Sequence, residues 1–137
     1  MSILAILVAA AVCFVVGFLI HGPLFGKLWM RLAKITPTGN EKMSDMYGQM
    51  FWNYAMNVVA AFVMSGIIWM ASTSSMMVEI TWYRGAILAA WLWLGFVVTN
   101  SSMNVIWMGQ SFKLWLFDTL SALAGLVSMG IVLALWK

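Results

Sequence analysis

Charge is what this sequence has least of: 8% of its 137 residues are Asp, Glu, Lys or Arg, against roughly 25% in soluble domains. So sparse a charge excludes an ordinary water-solvated surface, and a mean hydropathy of +0.98 makes lipid the natural solvent. Cysteine is nearly absent as well. Cys13 stands alone inside an apolar run, which excludes an intrachain disulfide and a thiolate zinc cage. His21 is the single histidine, so no paired-imidazole metal site can form, and no pigment or haem is expected on it. The start, MSILAILVAA, lacks the basic stretch of a signal peptide and reads as retained helix. Period-two alternation is missing throughout, which excludes the lipid-facing strands of a barrel.

What is present is long apolar runs. Crossing a ~30 Å hydrocarbon layer as helix takes ~20 apolar residues, and the chain has room for four such spans, at about 3–20, 51–71, 86–108 and 114–136. The expected fold is therefore all-α. It is one integral membrane domain, a four-helix transmembrane bundle with a short amphipathic interfacial helix at about 23–35, between spans 1 and 2. Pro23, one of only two prolines, reads as the first turn of that interfacial helix, where its missing N–H costs nothing. The second span is expected to extend backwards from Phe51, because Thr38 and Glu41 fit a capping box. STSSMMVEITWYR forms a polar connection between spans 2 and 3, and MGQSFK a tight hairpin between spans 3 and 4.

Cations set the expected orientation. Lys27, Arg31, Lys34, Lys42 and Lys113 fall on one side of such a bundle, Arg84 and Lys137 on the other. Positive loops stay cytoplasmic, so both termini are expected outside a bacterial inner membrane. At 100° per residue Lys27, Arg31 and Lys34 share one helix face, opposite Phe25, Leu28, Trp29 and Leu32, which suits contact with lipid headgroups. Tryptophans cluster near the span ends, as interfacial aromatics do, whereas Trp91 and Trp93 lie deeper without an evident role. The net charge of +3 suits anionic lipid and gives no reason to expect nucleic acid.

The run GPLFGKLWMRL after an apolar helix resembles the aromatic-x-PxxFGxxW signature of the bacterial membrane family called domain of unknown function 1761. NVIWMGQSFKLWLFDTLSALAGLVSMGIVLALW resembles that family's closing hairpin, an Asn-x-x-Trp element leading through a short loop to Lys-Leu-x-Leu and a final glycine-containing helix. The resemblance is strongest at 17–35 and 104–136. It implies a four-span fold and no particular activity. His21 stands where the family favours an aromatic residue, and Asp118 where it favours a neutral amide.

Polar residues inside the spans recur at helical spacing. Gln49, Asn53 and Asn57 repeat every four residues; Asn100, Ser101 and Asn104 close the third span; Asp118, Ser121, Gly125 and Ser128 stripe the fourth. Chain direction puts the amides, Asp118 and His21 in the cation-rich half, and polar groups in hydrocarbon turn inward. A polar pocket is expected from His21, Gln49, Asn53, Asn57, Asn100, Asn104, Asp118 and Ser121. Small pairs at Gly22/Gly26, Ser121/Gly125 and Ala124/Ser128 permit close helix approach. No triad, carboxylate pair or phosphate-cradling loop occurs, so no enzyme activity is expected. The expected role is a non-enzymatic multi-pass protein, self-associating or serving other membrane subunits, with membrane lipids as neighbours. The alternative is a small transporter or channel using the cytoplasm-facing pocket.

Overall fold

A computed structural model describes residues 2–73, 79 and 81–136. The described residues are helix, turn and loop, without strand. Helix α1 (Ile3–Leu19) runs on as a π-helical turn, Ile20–Leu24; α2 is Gly26–Leu32; a 3-10 turn, Met43–Met46, leads into α3 (Tyr47–Thr73). Helix α4 (Trp82–Leu92) passes through a π segment, Trp93–Val98, into α5 (Thr99–Ile106), and α6 is Phe112–Leu135. Joined, these make four helices long and apolar enough to span a membrane: Ile3–Leu24, Met43–Thr73, Trp82–Ile106 and Phe112–Leu135. The second, at 31 residues, is about 46 Å of helix at 1.5 Å per residue. That is longer than the ~30 Å hydrocarbon layer. Residues 74–78 and 80 of the polar connection between spans 2 and 3 lie outside the described residues, as does Lys137.

Proline placement departs from the sequence expectation. Pro23 does not open the interfacial helix; it sits inside the π turn that ends the first span. A proline ring clashes with the carbonyl four residues back. The wider turn relieves that clash, and the Phe25 N–H donates to the Ile20 carbonyl five residues back, at 3.1 Å. In a membrane, such local adjustment keeps backbone groups satisfied around proline. Helix α2 is correspondingly shorter than 23–35. It closes as a Schellman turn: Ile35 N–H donates to Met30 O at 2.9 Å and Lys34 N–H to Arg31 O at 3.3 Å, with Lys34 in the left-handed region at φ 57°. Lys34 therefore leaves the helical face that carries Lys27 and Arg31.

The start of the second span shifts too. Thr38 N–H does donate to Glu41 Oε1 at 2.9 Å, but Gly39 at φ 81° turns the chain away from helix. The helix starts later, where Lys42 N–H donates to Asp45 Oδ2 at 3.3 Å. At the third loop, the Asn104 carbonyl accepts from the N–H groups of Met108 and Gln110, and Gly109 at φ 68° reverses the chain, a left-handed stop.

The first and fourth spans are central. Helix α3 packs on α1, α1 on α6, and α6 on α4. The tightest crossing is one that the sequence reading missed. A Cβ on Gly130 would lie 2.5 Å from the Gly85 carbonyl oxygen, and one on Gly85 would lie 2.7 Å from Ala134 Cβ. Gly85/Ala89 and Gly130/Ala134 are thus two facing small-xxx-small pairs, the arrangement that lets backbones touch in lipid. Gly26 is buried against the His21 carbonyl of its own hairpin, and space around Gly22 is open; neither makes a crossing between spans. Alanines 5, 9 and 10, with Ala61, Met64, Met129 and Leu133, fill the half of the bundle away from the cationic loops.

Candidate functional site

Small residues on α1 and α6 leave a gap at the cation-rich end. Gly17 carries no side chain, and a Cβ there would meet nothing within 4 Å. Gly125 faces the Cys13 sulfur, 3.0 Å from where its Cβ would be. Against this thinned wall stands the start of α3, and Trp29 of α2 closes one side. The result is a partly open cavity of about 620 Å³ between α1, α3 and α6. Its lining ends at Cys13, Asn57 and Leu126, where the buried alanine and methionine cluster begins.

Six of the eight expected pocket residues line this cavity: His21, Gln49, Asn53, Asn57, Asp118 and Ser121. His21 is placed by several contacts. Its Nδ1 lies 3.0 Å from the Gly17 carbonyl oxygen and 3.4 Å from Ser121 Oγ, and its Nε2 lies 3.6 Å from Asp118 Oδ1. Its ring stands edge-on to Trp29 and Phe117, with centroids 5.5 Å away in each case. Asp118 also accepts from Gln110 Nε2 of the hairpin loop at 3.5 Å. Across the cavity Asn57 Nδ2 donates to Asn53 Oδ1 at 3.1 Å, and Cys13 Sγ to Asn57 Oδ1 at 3.6 Å. Tyr54 adds a tie between α3 and α1, its hydroxyl donating to the Leu7 carbonyl at 3.2 Å.

Asn100 and Asn104 do not join the pocket. The third span packs chiefly on α6 and lines no part of the cavity, and its polar side chains turn to the carbonyls of the π segment: Thr99 Oγ1 donates to Gly95 O at 2.6 Å and Asn100 Nδ2 to Phe96 O at 2.9 Å. Asn104 is exposed near the helix end. From the same stripe only Ser101 turns toward α6, accepting from Trp115 Nε1 at 2.9 Å. Trp93 acquires a role here, its indole N–H donating to the Thr119 carbonyl at 2.6 Å. An indole N–H in an apolar layer needs such a partner. Trp91 is exposed and borders a shallow apolar groove between α3 and α4 at the opposite end.

Lys27 and Arg31 are exposed on α2, while Trp29 of the same helix faces the cavity. The exposed cations and the pocket wall are thus two sides of one short element. Among the described residues no three His, Cys, Asp or Glu side chains gather as metal ligands would. The cavity can offer hydrogen bonds and one carboxylate within mostly apolar walls, a lining suited to binding.

No curated protein and no solved structure matches the chain. A family model does match, over residues 4–134, which takes in the four spans but for Ile3 at the start and Leu135 at the end, the π turn at Pro23 and every residue of the cavity. The chain therefore belongs to the family described as "Protein of unknown function (DUF1761)".

Proposed function

We propose that this chain is a non-enzymatic, multi-pass protein of a bacterial inner membrane that holds a small amphiphilic molecule in its cation-end cavity. Both termini lie outside in this reading, so the cavity opens toward the cytoplasm, following the positive loops. The observation that carries it is the cavity itself: six polar side chains collected from three spans around a space of about 620 Å³. Packing glue alone would close that space, since amides and hydroxyls bond across touching helices. The alanine-rich packing of the outer half favours a blind site over an open channel. No resident metal or cofactor is part of the proposal.

Native mass spectrometry of the purified protein in mild detergent tests this. The wild type is expected to retain a non-covalent small-molecule or lipid adduct. A Gly17→Trp variant, which fills the cavity through the open space beside Gly17, is expected to fold and lose it. Identical adducts on both proteins would overturn the cavity as the site.

A second reading keeps its own support. Only 6% of the most apolar stretch of the third span is buried, leaving α4 and α5 as the face best suited to another copy or another membrane subunit. Cross-linking through cysteines placed at Phe96 and Met103 in a Cys13→Ala background would give dimers if this face self-associates. Pairing with a different subunit would leave those cysteines uncoupled to each other.

A further inference from the structure

The acidic and imidazole groups of the cavity sit close without a short hydrogen bond between them. Gln110 reaches Asp118 Oδ2 only at 3.5 Å, the far limit of a hydrogen bond. His21 Nε2 stops at 3.6 Å from Oδ1. The other ring nitrogen is committed: the Gly17 carbonyl, 3.0 Å from Nδ1, can only accept, so the ring proton sits on Nδ1. In the neutral tautomer Nε2 turns a lone pair toward the carboxylate, whereas a second ring proton closes a His21–Asp118 ion pair. In that tautomer two acceptors face each other, and among the described residues no lysine or arginine lines the cavity.

We infer that the cavity recognises a primary alkylammonium, an amphiphile whose –NH3+ group donates to Asp118 and to His21 Nε2 while its chain lies along Phe14, Phe18 and Leu126. This rests on the reading of the cavity as a ligand site and names the ligand's chemistry. An ammonium supplies both the missing donors and the missing positive charge. A carboxylate or phosphate head would meet Asp118 as a like charge. A divalent metal needs more oxygen ligands than one carboxylate offers. The aromatic and aliphatic walls reject a free, fully hydrated amine and favour one with an apolar tail.

The same head chemistry comes from two sources, an ethanolamine lipid or a free long-chain amine, and one experiment separates them. Wild-type protein in phosphatidylcholine nanodiscs is titrated with dodecylamine, dodecanol and dodecyltrimethylammonium, with empty discs as the blank. Dodecylamine is expected to bind at least ~10-fold more tightly than the alcohol, as a charge-assisted hydrogen bond would give. It should also outbind the quaternary ammonium, which has charge but no N–H. Asp118→Asn should bring the amine down to the alcohol's affinity and leave the alcohol unchanged. Should that variant fail to fold, the three-ligand comparison on the wild type decides alone. Displacement of dodecylamine by phosphatidylethanolamine in the disc identifies the lipid headgroup as the source, and its failure to displace identifies the free amine. Equal affinity for the amine and either comparison compound overturns the inference. The broader cavity reading would survive that result, because it stands or falls on the adduct experiment with Gly17→Trp.

Discussion

Gly85 and Gly130 show how much a single hydrogen can decide in lipid. Helices in a bilayer gain little from apolar burial as such, so their cohesion depends on close contact and on hydrogen bonds. A valine at position 130 would drive its Cβ against the Gly85 carbonyl oxygen, 2.5 Å away, and the spans would have to part. Overpacking of this kind costs ~1–3 kcal/mol. Gly130→Val is therefore expected to unfold at a lower fraction of denaturing detergent than the wild type, while Gly17→Ala, whose Cβ meets open space, is expected to match it. Equal stability of Gly130→Val would mean that the α4–α6 crossing is looser than described. Trp93 makes the complementary point. Replacing it with phenylalanine deletes one donor and leaves the Thr119 carbonyl with its helical bond, so the expected loss is only ~0.5–1.5 kcal/mol in the same assay.

Among the elements, α2 carries exposed cations on one side and a wall of the cavity on the other. Its start is held by Gly26, whose added Cβ would stand 2.8 Å from the His21 carbonyl oxygen. Gly26→Val should lift α2, withdraw Trp29 from the cavity and make that tryptophan more accessible to a water-soluble quencher. Wild-type quenching in a properly folded Gly26→Val protein would contradict the close seat of Gly26 on the His21 carbonyl. The outward side of α2 makes a separate prediction. Changing Lys27, Arg31 and Lys34 to glutamate should weaken association with anionic lipid by about 1 kcal/mol per cation near a charged surface. Lipid selectivity measured by native mass spectrometry across phosphatidylglycerol mixtures checks it. The left-handed Lys34 already stands off the helix, so Lys34→Gly should keep the turn and lose only its share of the charge effect.

For the molecule as a whole, two halves of the bundle have different chemistry. Small apolar residues pack one half, while amides, His21 and Asp118 surround space in the other. That polarity becomes a topology once the membrane potential and the cationic loops orient it. In a Cys13→Ser background, Thr38→Cys is expected to resist a membrane-impermeant thiol reagent in intact cells and to label after lysis. Ready labelling in intact cells would reverse the orientation and turn the cavity outward.

By itself the sequence determined the class of solvent, the number of helices and the end of the bundle where the polar groups lie. Those follow from composition, run length and cation placement, which are local or summed properties. The membership of the cavity was legible for Gln49, Asn53 and Asn57, because an uninterrupted i, i+4 ladder keeps one face. It was not legible for Asn100 and Asn104, because which spans enclose the cavity is set by tertiary packing: the third span lies on α6 away from it, and Asn100 bonds the Phe96 carbonyl. The same limit hid Gly85 and Gly130, each an ordinary glycine until the other faces it. Only the tertiary structure decided which small residues touch, which leave a cavity, and that Asp118 and His21 meet beside it. Contacts between spans depend on helix phase and crossing, and one residue of extra winding resets both.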